Sequence, residues 1–156
     1  MSKRLLFVCM GNICRSPTAE GVFAHLAIQA GLQGQLEWDS AGTHDYHVGH
    51  APDPRAQAHA AAKGIDISHL RARQLSEADF ARFDRILVMD DHNWKAAQAL
   101  SPIEYRSRIH RLTEYCQRFK ALNVPDPYYG GEAGFVRAMD IIEDACRGLL
   151  KDLQTP

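Results

Sequence analysis

The chain has no Cys-x2-Cys pair, no long apolar run and no excess of either charge. Without cysteines paired at ligand spacing, a structural zinc site has no basis. The apolar stretch near the start runs only from Leu5 to Met10 before it meets Gly11-Asn12. That is too short for a membrane span or for the apolar centre of an export signal. A net charge of −1, from 18 Lys+Arg against 19 Asp+Glu, provides no general attraction for nucleic acid, so any anion site has to be local. Repeats, low-complexity tracts and linkers are also lacking. Four cysteines, Cys9, Cys14, Cys116 and Cys146, in a chain with no export signal read as thiols in the cytoplasm rather than as a disulfide framework.

What is present fits one globular domain over residues 1–156, with 46% hydrophobic and 24% charged residues. Apolar patterns alternate between strand and helix. Residues 4–9 read as a buried strand. Ala19, Val22, Phe23, Leu26, Ala27 and Ala30 recur at helical spacing up to Gly31. Leu36–Asp39 reads as a short strand, followed by a loop from Ser40 to about Pro54. Residues 55–63 read as a helix ended by Gly64, and Ser76 as the start of a short helix. Strands are expected at 85–89 and 108–112, and helices at 91–100 and 132–152. The last helix carries Phe135, Met139, Ile142, Cys146 and Leu149 on one stripe, which makes Cys146 core filling. Such alternation predicts an α/β fold of three layers, with a parallel sheet and helices on both faces. In such sheets ligands bind beyond the carboxyl ends of the strands.

At the end of the first strand stands Cys9-Met10-Gly11-Asn12-Ile13-Cys14-Arg15-Ser16-Pro17. Ser16 reads as an N-cap and Pro17 as the first helical residue. A tight loop at a helix N-terminus turns backbone N–H groups toward an anion. The same field favours a thiolate at Cys9, and Arg15 supplies a planar fork for two phosphate oxygens. A thiolate attacking phosphorus leaves an oxygen that must be protonated. The candidate acid is Asp126 in Val124-Pro125-Asp126-Pro127-Tyr128-Tyr129-Gly130, where flanking prolines stiffen the chain and two tyrosines offer flat walls for an aromatic leaving group. His44, His47 and His50 recur every third residue in a loop with no regular backbone to aim them. They read as pocket rim rather than metal ligands.

The nucleophile segment, the Asp-Pro-Tyr-Tyr segment and the stretches Asp39–Gly42 and Val48–Ala56 resemble the low-molecular-weight protein tyrosine phosphatases along essentially the whole chain. The resemblance implies a four-stranded parallel sheet, no metal or cofactor, phosphotyrosine proteins or peptides as substrates, and a monomer or weak dimer without nucleic-acid or membrane partners. It implies Cys9 as nucleophile, Arg15 as phosphate clamp and Asp126 as general acid and then base. Met10, Gly11, Asn12, Ile13 and Cys14 would form the phosphate loop, with Ser16 bonded to the Cys9 sulfur. Asn12 would be left-handed, held by a network to Ser40 and a histidine. His69 is the nearest match, in a segment one residue longer than the usual His-x-Ala-Arg-Gln. Tyr46 would join Tyr128 and Tyr129 as pocket wall. Cys14, five residues after Cys9, would capture an oxidised Cys9 as a protective disulfide. Arsenate reduction is the competing chemistry for such a loop, but no cysteine lies between Cys14 and Cys116 to pass oxidation on. A non-catalytic phosphotyrosine-binding module would be expected to lose Cys9, Arg15 or Asp126, and all three are present.

Overall fold

Five successive side chains of the first strand, Leu5 to Cys9, are at most 2% exposed. A strand buried on both faces must sit inside a sheet that is itself covered on both sides. The computed structural model, which describes residues 3–128 and 130–155, shows this arrangement. Strand β1 (Lys3–Cys9) lies between β2 (Leu36–Gly42) and β3 (Arg85–Val88), and β4 (Ile109–Arg111) pairs with β3. All three pairings are parallel. The chain leaves β1 toward one neighbour and later returns to the other, so the strand order reverses at the carboxyl end of β1, where Cys9 lies.

Alternation along β1 divides the core. Leu5, Phe7 and Cys9 join a cluster with α1 (Arg15–Gln29), α2 (Pro54–Ala61) and α5 (Gly131–Gln154). Leu6 and Val8 face a smaller cluster with α3 (Glu77–Arg82) and α4 (Asp91–Leu100). Helix α5 contributes nine buried apolar side chains, among them Phe135, Met139, Ile142, Cys146 and Leu149. The three-layer α/β architecture with a four-stranded parallel sheet is therefore the observed one. Among the described residues no helix is long and apolar enough to cross a membrane.

Local signals account for most boundaries. Gly31 and Gly64 take φ of 75° and 78° just past α1 and α2, a conformation that glycine reaches without strain. Ser76 and Asp79 cap α3 reciprocally, with the Ser76 N–H donating to the Asp79 carboxylate at 2.8 Å. Two expectations are corrected. Strand β2 does not stop at Asp39. It continues through Ser40, Ala41 and Gly42, which pair with Phe7, Val8 and Cys9, because small buried residues are needed where the two strands meet the loop. Ser16 is not the cap of α1. The helix starts at Arg15 with Cys14 at the cap position, and no side chain caps it. Two 3-10 turns, Ile103–Arg108 and Leu112–Tyr115, flank β4 and were not expected from the sequence.

Helix α5 crosses the second of these turns so closely that Gly148 packs against the Tyr115 carbonyl, where a Cβ would overlap backbone. Gly148→Ala is expected to cost about 3 kcal/mol or more of stability, read as a lower denaturant midpoint. An unchanged midpoint would contradict this packing.

Candidate active site

The loop between β1 and α1 turns through Asn12, the one non-glycine residue with positive φ (57°) among those described. Asparagine tolerates this region better than most side chains. Four hydrogen bonds hold it there. Its N–H donates to Cys9 Sγ at 3.3 Å, and its Nδ2 donates to Ser16 Oγ at 2.7 Å and to Ser40 Oγ at 3.0 Å. Its Oδ1 accepts from the Arg73 backbone N–H at 3.0 Å. Ser16 Oγ in turn lies 3.1 Å from Cys9 Sγ. The serine expected as a cap is thus spent on the sulfur. The carbonyls of Cys9, Met10, Ile13 and Cys14 are taken by N–H groups of Thr43, His44, Asp53 and Thr18. The loop leads straight into the N-terminus of α1, which favours an anion.

Arg15 is 3% exposed. Its Nη1 donates to Asp90 Oδ2 at 2.6 Å and to the Val124 carbonyl at 3.0 Å, and its Nη2 lies 3.6 Å from Asp126 Oδ2. Burial works against its charge, but Cys9, Asp90 and Asp126 outweigh that and hold the guanidinium above its ordinary pKa. Asp90 also caps α4 by accepting the Asn93 N–H at 2.9 Å. Val124 N–H donates to the Met89 carbonyl at 2.7 Å, so the segment entering the Asp126 turn is fixed to the end of β3. Asp126 Oδ1 accepts the Tyr128 N–H at 3.0 Å.

These groups enclose a cleft of about 200 Å³, lined by Cys9, Met10, Gly11, Ile13, Cys14, Arg15, Tyr46, His47, Asp126 and Tyr128. The thiol is at 2% exposure and Tyr46 at 72%, so the cleft is deep at its sulfur end and open at its aromatic end. A thiol, a guanidinium and a carboxyl converging on one cleft can bind an oxyanion, attack it and protonate what leaves.

The model of the low molecular weight phosphotyrosine protein phosphatases matches residues 4–156. The chain belongs to this family. A putative low molecular weight protein-tyrosine-phosphatase of Synechocystis is 46% identical over 151 residues, covering 96% of each chain. A crystal structure of the protein tyrosine phosphatase from Entamoeba histolytica, with Hepes in its active site, superposes with a TM-score of 0.95 at 40% identity, covering 98% of this chain and 97% of that one. The Drosophila arginine phosphatase superposes with a TM-score of 0.87 at 33% identity, covering 97% and 98%.

In this member of the phosphotyrosine phosphatase family one expected site residue is misplaced. His69, expected in the network around Asn12, is exposed, and the Asn12 Oδ1 accepts the Arg73 backbone N–H. The network ends instead on Glu20, whose Oε1 accepts the Ser40 hydroxyl at 2.7 Å. The sequence reading missed Glu20, Arg73, Asp79 and Asp90. Arg73 uses its side chain as well, with Nε to Asp39 at 3.0 Å and Nη1 and Nη2 to Asp79 at 3.0 and 3.1 Å. A buried acid inside an apolar helix was the one available signal for Glu20. Tyr129 lies outside the described residues. Among the rim histidines, His44 packs on Tyr46 with ring centres 5.0 Å apart and His47 lies 5.7 Å from His50. Cys14 is buried, and burial with Asp53 and Cys9 nearby pushes its thiol up to about 12. Cys116 is half-buried near Asp144, its thiol also pushed up to about 12, first by burial.

Two outcomes are expected here. A Cβ on Gly42 would stand 2.8 Å from the Met10 carbonyl oxygen and 3.1 Å from the Asn12 nitrogen. Gly42→Ala should therefore displace the loop, lowering phosphate affinity more than it lowers the unfolding midpoint. A midpoint loss with intact affinity would argue against it. Burial, opposed by the Ser40 hydroxyl, pushes Glu20 up to about 7 from an ordinary 4.5. The folded chain then holds an extra proton between those values, so stability falls as pH rises from about 4.5 to about 7 and the deficit is complete above that. Its size is on the order of 3 kcal/mol. Glu20→Gln should flatten thermal midpoints measured from pH 5 to pH 8, and a slope like the wild type's would count against the buried acid.

Proposed function

We propose that this chain hydrolyses phosphotyrosine in proteins or peptides, and small aryl phosphates, through a phosphocysteine on Cys9. The observation that carries the reading is a single cleft lined by Cys9 with its buried sulfur, by Asp126, and by Arg15, which is tied to Asp90 and lies 3.6 Å from the Asp126 carboxylate. The phosphate enters with its oxygens on the loop amides and the Arg15 fork. The Cys9 thiolate attacks phosphorus as the bond to the phenolic oxygen breaks, and Asp126 gives that oxygen its proton. The resulting Asp126 carboxylate then takes a proton from water. The water oxygen bonds to phosphorus, the sulfur–phosphorus bond breaks, and inorganic phosphate leaves. The Ser16 hydroxyl, 3.1 Å from the sulfur, stabilises the departing thiolate.

Tyr46 and Tyr128 stand at the mouth of a cleft whose sulfur is buried. A phenyl ring is long enough to bridge that depth and flat enough to pack between them, whereas a serine phosphate brings no ring. Peroxide would convert the Cys9 thiolate to a sulfenic acid. The Cys14 thiol, on the same cleft wall, would condense with it to a disulfide and release water. A cytoplasmic setting suits thiols that must be kept reduced.

The test compares matched peptides carrying phosphotyrosine, phosphoserine or phosphoarginine. Phosphotyrosine should be turned over far faster than the other two, Cys9→Ser should abolish turnover, and Asp126→Ala should cut kcat/KM by about 10²–10⁴ for poor leaving groups and less for acidic phenols. Equal or faster release of phosphate from phosphoarginine would overturn the substrate assignment. An Asp126→Ala loss that is the same for every leaving group would overturn the acid role.

A further inference from the structure

We propose that Arg55, which lies outside the cleft, is a positioning residue for the turn that carries Asp126. The proposal rests on the reading of Asp126 as the proton donor. Arg55 is locked by a two-point pair with Asp53, Nε to Oδ1 at 3.1 Å and Nη2 to Oδ2 at 2.9 Å. Its guanidinium carbon lies 5.4 Å from the Tyr128 ring centre and 4.8 Å from that of Phe135. One plane therefore bridges the Asp126 turn and the first turns of α5. Asp53 supports it from the other side. Its Oδ1 accepts the Arg55 N–H at 2.8 Å, and its own N–H donates to the Ile13 carbonyl at 2.8 Å. The phosphate loop and the acid turn, more than a hundred residues apart, are thus joined through two neighbouring positions at the start of α2.

The chemistry favours positioning over phosphate binding. Asp53 neutralises the Arg55 charge, and Arg55 does not line the cleft. What it offers is a fixed flat face, which a two-point carboxylate pair creates and a lysine cannot. Tyr128 is bonded to Asp126 through its own N–H at 3.0 Å, so a shift of the ring is carried to the carboxyl. His59, one turn along α2, stacks on the other partner, Phe135, with ring centres 5.6 Å apart and 2° between planes, and pairs with Glu132 at 3.2 Å. The anchor under Arg55 is therefore itself held.

Arg55→Ala and Arg55→Lys should each lower kcat/KM for aryl phosphates with poor leaving groups by about three- to tenfold, the range of one or two exposed cation–π contacts. The loss should shrink as the leaving phenol becomes more acidic, and inhibition by inorganic phosphate should stay within about twofold of wild type, since no phosphate ligand is removed. In an Asp126→Ala background neither change should add a further loss. A loss that is uniform across leaving groups, a marked weakening of phosphate inhibition, or a full additional loss on top of Asp126→Ala would overturn the proposal. Arg55→Lys retaining the full wild-type rate would overturn the argument from the flat face. If Asp126→Ala alone shows no leaving-group dependence, the proton-donor reading fails. If that dependence is present and Arg55→Ala leaves it unaltered, the Arg55 proposal alone fails.

Discussion

The Asn12 side chain is the constraint on which the site depends. A left-handed asparagine costs free energy, and here four partners from four parts of the chain offset it: the Cys9 sulfur, Ser16, Ser40 and the Arg73 backbone. With the Asn12 amide donating to both serine oxygens, the Ser40 hydroxyl points its proton to the Glu20 carboxylate, while the Ser16 hydroxyl lies between the Cys9 sulfur, 3.1 Å away, and the Ala41 carbonyl, 3.4 Å away. The Arg73 N–H on Oδ1 prevents the amide from flipping. The Asn12 N–H is thus aimed at the sulfur before any ligand arrives, which is preorganisation in its electrostatic sense.

The sheet makes this possible by ending three strands together. Cys9 closes β1, Gly42 closes β2 and Asp90 follows β3. Each strand end delivers one component: the sulfur, a residue without a Cβ under the loop, and the carboxylate that holds Arg15. Arg15 alone would be costly to bury, since a charge removed from water must be paired. Asp90 and the Val124 carbonyl supply that pairing while leaving Nη2 near Asp126. The cluster of charges is therefore directed into the cleft rather than hidden beneath it.

Much of this was legible in the sequence because it is local. Strand, loop, arginine and helix occupy adjacent positions around Cys9, and Asp126 sits in a proline-framed turn whose composition names it. The long-range members were not legible. Arg73 reaches Asn12 through a backbone N–H, which any residue but proline has, so its identity gave no hint, and a histidine was sought where a main-chain group serves. Asp90 could be read only as a helix start, because its second role needs the sheet to bring it to Arg15, 75 positions away. Ser16 carried a misleading signal. Serine before proline is an ordinary helix start, and only the nearby sulfur redirects its hydroxyl.

The bond from Arg15 to the Val124 carbonyl spans 109 positions, and its meaning changes when the chain is considered in the order in which it is made. The Cys9 loop is synthesised first, yet a nascent chain ending short of residue 124 lacks both the main-chain acceptor for Arg15 and Asp126. Cys9 is therefore made long before the segment that completes its surroundings. The surroundings of Arg15 are complete only when the segment carrying Val124 and Asp126 docks at the end of β3.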